Sequence, residues 1–137
     1  MKIDKFKHSL IRKGKKQQAA KVYQSVLLRL KSSSKRNPIP RILKSLQPKI
    51  RLVDRKKGAS TLKIPNLITP QQSFSLALRW FFRSVKERKE KTLEDRIFNE
   101  LKETLEGKSR SLKKKEDYYK LAIYNRGFIR LLRKRRK

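Results

Sequence analysis

Apolar side chains recur at Ala19, Val22, Tyr23, Val26, Leu27 and Leu30, the three-and-four spacing that lines one face of a helix. Gly14, just ahead of them, suits a helix end and predicts a short first helix over residues 3–13. Residues 32–38, with three serines, Asn37 and Pro38, read as a loop. A short helix over 40–46 follows, opening on Pro40 and stopping before Pro48. The period then changes. Residues 49–53 and 61–64 roughly alternate apolar with polar, around a basic stretch from Asp54 to Ser60 that contains Gly58. This pattern predicts a β-hairpin ended by Pro65.

Helical spacing returns at Thr69, which can cap a helix. Pro70 is preset for the first helical position and Gln72 completes a capping box. Phe74, Ala77, Leu78, Phe81 and Val85 form one stripe, with Leu76, Trp80 and Phe82 beside it. A helix so apolar belongs at the centre of the core. Thr92 is placed to cap a helix with Leu93, Ile97, Phe98, Leu101 and Leu105 in register, and Gly107 to stop it. A last helix over 113–133 carries Tyr118, Leu121, Ala122, Asn125, Phe128, Ile129 and Leu132. The predicted architecture is mainly α. It is a single domain over 1–137 of about six helices, with a protruding two-stranded β-hairpin arm near 49–64 and a basic tail over 130–137.

Charge changes this picture. The chain has 41 Lys and Arg against 11 Asp and Glu, a formal net charge of +30 on 137 residues, and 36% apolar residues. Averaged over the chain, this composition favours disorder, because repulsion is high and apolar burial is scarce. The distribution is uneven, however. Residues 1–57 hold 19 basic and 2 acidic side chains, 58–106 hold 9 and 7, and 107–137 hold 13 and 2. Two strongly basic ends flank a nearly neutral centre, the distribution of a small apolar scaffold presenting basic surfaces. The implied partner is a polyanion, either nucleic acid or an anionic membrane surface. No apolar run approaches the ~20 residues of a membrane span, so no membrane insertion is expected. With no cysteine and one histidine, His8, disulfides and thiolate metal sites are excluded. No metal, cofactor or small-molecule substrate is expected.

The hairpin tip carries the most pointed chemistry. Arg55, Lys56 and Lys57 cluster before Gly58, which lets the backbone bend or approach a ligand closely. A two-stranded ribbon also suits a groove of nucleic acid. The plain alternative is a solvated turn that keeps a strand edge soluble. Gly14-Lys15-Lys16 brings backbone N–H groups and two lysines to the start of the second helix. It reads as a phosphate site or as an ordinary interhelical turn. It lacks the further glycines and the Ser/Thr of a nucleotide-binding P-loop. Lys113-Lys114-Lys115 opens the last predicted helix, where positive charge opposes the helix dipole and phosphate would compensate. Residues 133–137 read as a nucleic-acid arm. The acids from Glu87 to Glu106 read as a solvated or protein-facing helix surface, with Glu87 and Lys91 as an i,i+4 pair. Trp80, Phe81, Phe82 and Phe98 are expected in the core. Tyr23, Tyr118, Tyr119 and Tyr124 are expected in packing roles ahead of base stacking.

Taken in order, these stretches resemble a known family. They are Arg12-Lys13-Gly14-Lys15-Lys16 with Ala19 and Lys21, the hairpin between Pro48 and Pro65, and Ala77-Leu78-Arg79-Trp80. Then come Leu93, Arg96 and Glu100-Leu101, Lys113-Lys114-Lys115-Glu116-Asp117, Lys120-Leu121-Ala122 and Asn125-Arg126. In order and spacing they are similar to the small-subunit ribosomal protein family number seven of bacterial and organellar ribosomes, from about Lys5 to Phe128. The resemblance implies six helices with a β-hairpin arm. It implies binding to the 3′ major (head) domain of small-subunit rRNA, support of head assembly beside neighbouring head proteins, and no enzymatic activity. It implies a hairpin reaching toward the exit-site tRNA and mRNA path. Carried over by residue, it places rRNA contacts on Lys15, Lys16, Arg55, Lys56, Lys113, Lys114 and Lys115. The arm tip near tRNA and mRNA falls on Lys57, Gly58 and Ala59, and Trp80 falls in the core beside Arg79.

The chain departs from the family in places. A paired glycine at the tip is Gly58-Ala59 here, which implies a less permissive turn. Arg51 stands at a usually acidic position, Leu62 at a usually aromatic one, and Tyr124 and Gly127 where small residues are usual. The usual basic N-terminal extension is missing, and the 130–137 tail supplies some of that charge. These departures suit an organellar ribosome, a mitochondrion ahead of a plastid, with the bacterial cytoplasm as the alternative. Two rival readings stand beside this one. The first is an architectural DNA-binding protein, which composition does not separate from an rRNA binder. The second is a nucleic-acid enzyme with a metal held on acids such as Glu94, Asp95 and Glu100.

Overall fold

The computed structural model describes residues 2–32 and 36–130. Its elements are α1 (Lys2–Leu10), α2 (Lys16–Lys31), α3 (Ile39–Leu46), β1 (Ile50–Lys57), β2 (Ser60–Leu67), α4 (Pro70–Glu87), α5 (Leu93–Glu106) and α6 (Arg110–Tyr124). A 3₁₀ turn at Arg126–Phe128 follows α6. This is the mainly α architecture with one two-stranded hairpin that the periodicities predict. The basic tail from 131 onward, and part of the predicted loop at 33–35, lie outside the described residues.

The stripe of α4 is the centre of the core. Ala77 and Phe81 are fully buried, with Phe74, Leu78 and Val85 beside them. Phe6 of α1 packs between helices, its ring centroid 5.7 Å from Phe81, 5.6 Å from Phe82 and 6.2 Å from Tyr23. Ile39, Ile42, Leu43 and Leu46 of α3 and Ile97 and Leu101 of α5 close the same cluster. Burying one such side chain stabilises by roughly 1.5–3 kcal/mol, so a chain with few apolar residues folds by gathering its buried ones into one cluster. Trp80 is buried against α6, its ring 5.0 Å from Tyr118 in an edge-on arrangement.

The end signals of α4 and α5 are present. Thr69 Oγ1 accepts from the Gln72 N–H while Gln72 Oε1 accepts from the Thr69 N–H, closing the capping box. Thr92 Oγ1 accepts from the Asp95 N–H, and Gly107 ends α5 in the left-handed region at φ 80°.

The hairpin is longer than predicted. β1 and β2 pair from Ile50↔Leu67 to Lys57↔Ser60, so Asp54, Arg55 and Lys56 are strand residues and the loop is only Gly58-Ala59. Pro65 does not end the strand. It pairs with Leu52, whose N–H points outward to Tyr118 rather than across the ladder, so a residue without an N–H is tolerated there. Gly58 takes the positive φ of the loop at 62°, and Ala59 does not. A two-residue loop needs a glycine only at a position of positive φ, so alanine costs the turn nothing at 59.

α6 also differs from its prediction. It starts earlier because Ser109 Oγ caps it by accepting from the Leu112 N–H at 3.2 Å. It stops at Tyr124 rather than running on to 133. Asn125 leaves helical geometry at φ −93° and ψ 7°, and its side-chain amide donates to the Lys63 carbonyl of β2 at 2.9 Å.

Candidate nucleic-acid interface

The arm is docked on α6 by two tyrosine hydroxyls. Tyr118 Oη accepts from the Leu52 N–H at 2.6 Å and Tyr119 Oη accepts from the Lys49 N–H at 2.7 Å. Burial pushes the Tyr118 hydroxyl pKa up, keeping it a neutral phenol against the strand. Side chains alternate along β1, so Arg51, Val53, Arg55 and Lys57 share the face of the fully buried Ile64, which pairs with Val53. Lys57 Nζ lies 5.3 Å from the Phe128 ring. The Nε atoms of Arg51 and Arg55 are buried without a hydrogen-bond partner. Lys56 stands on the opposite face and is exposed. The basic cluster read from the sequence is therefore divided between two faces of the ribbon.

The Gly14 turn is open to solvent. Lys13 and Gly14 both have positive φ, at 52° and 74°, so Lys13 holds a backbone conformation that side chains other than glycine rarely adopt. α2 begins with no side-chain cap and no acid in its first turn. Lys15 and Lys16 are exposed there, beside backbone N–H groups that favour an anion.

The Lys113–115 run is divided too, and it begins one turn inside α6 rather than at its start. Lys113 is exposed. Lys114 Nζ donates to Glu87 Oε2 at 2.7 Å, which lowers the Glu87 pKa. Lys115 Nζ donates to the Ser45 carbonyl at 2.7 Å; burial and then the nearby Lys49 charge push its pKa down. Lys114 and Lys115 thus tie α6 to α4 and α3. The expected Glu87–Lys91 pair does not form, because α4 ends at Glu87 and the two residues no longer share a helix.

The acids of 87–106 are largely engaged by arginines. Arg88 meets Glu100 at 2.8 Å, Glu103 at 2.8 Å and Glu90 at 2.9 Å. Glu100 is fully buried and also accepts from the Ser111 N–H and hydroxyl. The Arg88 guanidinium lowers the Glu90 pKa to about 2 and lowers that of Glu103. Arg29 meets Asp95 at 2.9 Å, and Glu94 accepts from the Ser25 hydroxyl. Glu94, Asp95, Glu100 and Glu103 thus join α5 to its neighbours, while Glu106 is exposed. Among the described residues, no group of three or more His, Cys, Asp or Glu is placed to hold a metal, and no helix is long and apolar enough to cross a membrane.

One basic surface went unread in the sequence. A groove of about 470 Å³ between α1 and α4 is lined by Lys5, Arg79, Arg83 and Lys86, with no carboxylate. Lys5 Nζ donates to Ser75 Oγ at 2.6 Å, while Arg79, Arg83 and Lys86 are exposed. Their spacing along α4 is as helical as that of the apolar stripe, so the signal was present on its polar face.

Comparison with known proteins identifies the family. Residues 2–126 match the family described as Ribosomal protein S7p/S5e. The small ribosomal subunit protein uS7 of Roseobacter denitrificans is 31% identical over 129 residues, covering 92% of this chain and 83% of the relative. The uS7 proteins of Paracoccus denitrificans and of a Sulfurovum species are each 32% identical with the same coverage. With its family matched along nearly its whole length and its fold built as described, the chain belongs to the ribosomal protein S7p/S5e family and is a non-enzymatic structural constituent of the small ribosomal subunit.

Proposed function

We propose that the chain is a single rRNA-binding domain that binds the 3′ major domain of small-subunit rRNA, supports assembly of the head beside neighbouring head proteins, and extends its hairpin toward the exit-site tRNA and mRNA path. The observation that carries this reading is the separation of charge. Most of the central acids are paired with Arg88, Arg29 or Lys114, whereas Lys15, Lys16, Lys56, Lys57 and Lys113 stand exposed. The α1–α4 groove adds a cationic wall without a carboxylate. Lys114 and Lys115 meet RNA, in this reading, from positions already tied to the fold, and Arg55 from the half-buried face of the arm. Placement in an organelle rests on composition and the family departures, while the compared relatives are bacterial.

Binding of the full chain to a 3′ major-domain rRNA fragment across a salt series tests this. If about six phosphates are neutralised, the log–log slope is roughly −4 to −5. A slope near zero, or equal competition by duplex DNA, overturns the reading. Replacing Arg55, Lys56 and Lys57 together by alanine is expected to flatten the slope by about 2 with helical circular dichroism retained.

A further inference from the structure

A groove of about 420 Å³ lies between α1 and α2, on a face that the assigned contacts leave unused except for Lys16. Its floor is aliphatic, made by Ile11, Ala19, Ala20 and Leu27. Ala19 lies on the α2 stripe and Ala20 beside it, and their small side chains leave the groove open. Its rim is polar, made by Lys7, His8, Lys16 and Gln24, and no carboxylate lines it. His8 Nδ1 is 2.6 Å from the Asp4 carbonyl. A carbonyl only accepts, so Nδ1 carries the proton, and in the neutral ring Nε2 is left as an acceptor. Gln24 offers both a donor and an acceptor. Lys7 Nζ lies 4.9 Å from the Tyr23 ring centroid and covers that ring face, so an occupant rests on the aliphatic floor.

These features specify the occupant. It must be apolar on its faces and hydrogen-bonding at its edge, and it must carry negative charge. A nucleotide of an unpaired RNA segment meets all three conditions: a splayed-out base buries flat apolar faces against the aliphatic floor, bonds at its edges, and carries a phosphate. Lys16 belongs to both the groove and the Gly14 turn, so a base in the groove brings its own phosphate to Lys15 and Lys16. We infer that the α1–α2 groove holds an unstacked base of the bound RNA, converting the Gly14 turn from a point of charge into a readout site; this rests on the rRNA-binding reading above.

Ala20→Leu fills the groove without altering charge and keeps a strong helix former. With the full chain and a 3′ major-domain rRNA fragment, it is expected to weaken binding about tenfold, through lost burial of the base's apolar faces, and to leave the salt slope unchanged. Ala20→Ser keeps the groove open and is expected to bind as the parent does. Photocrosslinking of the parent chain with a 4-thiouridine-substituted fragment is expected to mark the His8 or Tyr23 peptide, a readout independent of how the variants fold. Parent-like binding by Ala20→Leu together with no crosslink in α1 or α2 overturns the inference while parent binding persists. A crosslink from this groove to a neighbouring protein in assembled subunits overturns it in favour of a peptide occupant. Loss of salt-dependent binding by the parent itself overturns the underlying reading instead.

Discussion

Replacing Arg88 by methionine removes the cation from a cluster of three carboxylates. The arginine side chain is 10% exposed and Glu100 is 0% exposed, whereas Glu90 and Glu103 are 28% and 38% exposed. Water screens the last two, and exposed pairs contribute about 0–1 kcal/mol each. The dominant loss is at Glu100, which is left as a buried carboxylate with only the Ser111 N–H and hydroxyl. Breaking a buried pair in this way costs about 3–5 kcal/mol, a large part of the roughly 5–15 kcal/mol that holds a domain folded. Urea unfolding followed by helical circular dichroism measures the change. Arg88→Met/Glu100→Gln removes the buried charge but keeps an acceptor for Ser111, and is expected to recover more than about 1 kcal/mol of the loss. A single-variant loss below about 1 kcal/mol, or a double variant no more stable than Arg88→Met, would show that the cluster is solvated and that the acids do not lock α4, α5 and α6 together.

Three further outcomes follow from the same contacts. Tyr118→Phe deletes the acceptor of the Leu52 N–H; it is expected to cost about 0.5–1.5 kcal/mol and to speed hydrogen exchange at Leu52, and unchanged exchange there would mean the hydroxyl does not hold the arm. Lowering the pH should destabilise the fold in a defined window. The folded pKa of Glu90 is about 2, and those of Glu87 and Glu103 are lowered, beneath an unfolded value of about 4.3, so their contribution is complete above that value and disappears as pH falls toward about 2. Urea midpoints that stay level across that range contradict this assignment. Lys113→Ala is expected to weaken rRNA binding with no change in stability, whereas Lys114→Ala is expected to lower stability through loss of the Glu87 pair. Equal behaviour of the two variants in both assays would refute the division of the run.

The fold was readable wherever local chemistry is sufficient. The capping box at Thr69, the Thr92 cap and the Gly107 stop depend on residues within one helical turn, and each lies where its sequence signal puts it. Two of the boundaries that moved were decided by partners distant in sequence. Asn125 ends α6 by reaching Lys63, and Pro65 continues β2 because Leu52 turns its N–H to Tyr118. The site divides in the same way. That Lys15, Lys16, Lys56 and Lys57 are cations near a turn is a sequence fact; that Arg55 faces the body while Lys56 faces away follows from the register of the hairpin.

The sign and uneven placement of the charge, the helical stripes and the family pattern are all legible along the chain, because each is carried by residue type and by spacings of a few positions. Tertiary structure alone decided which charges remain available to a partner. Arg88 and Glu100 are 12 positions apart, Lys114 and Glu87 are 27 apart, and Lys115 and the Ser45 carbonyl are 70 apart. No local pattern joins such pairs, because packing of α3, α4, α5 and α6 brings them together. A net charge of +30 is therefore fixed by composition, while its division into cations that lock the helices and cations that face a polyanion is a property of the fold.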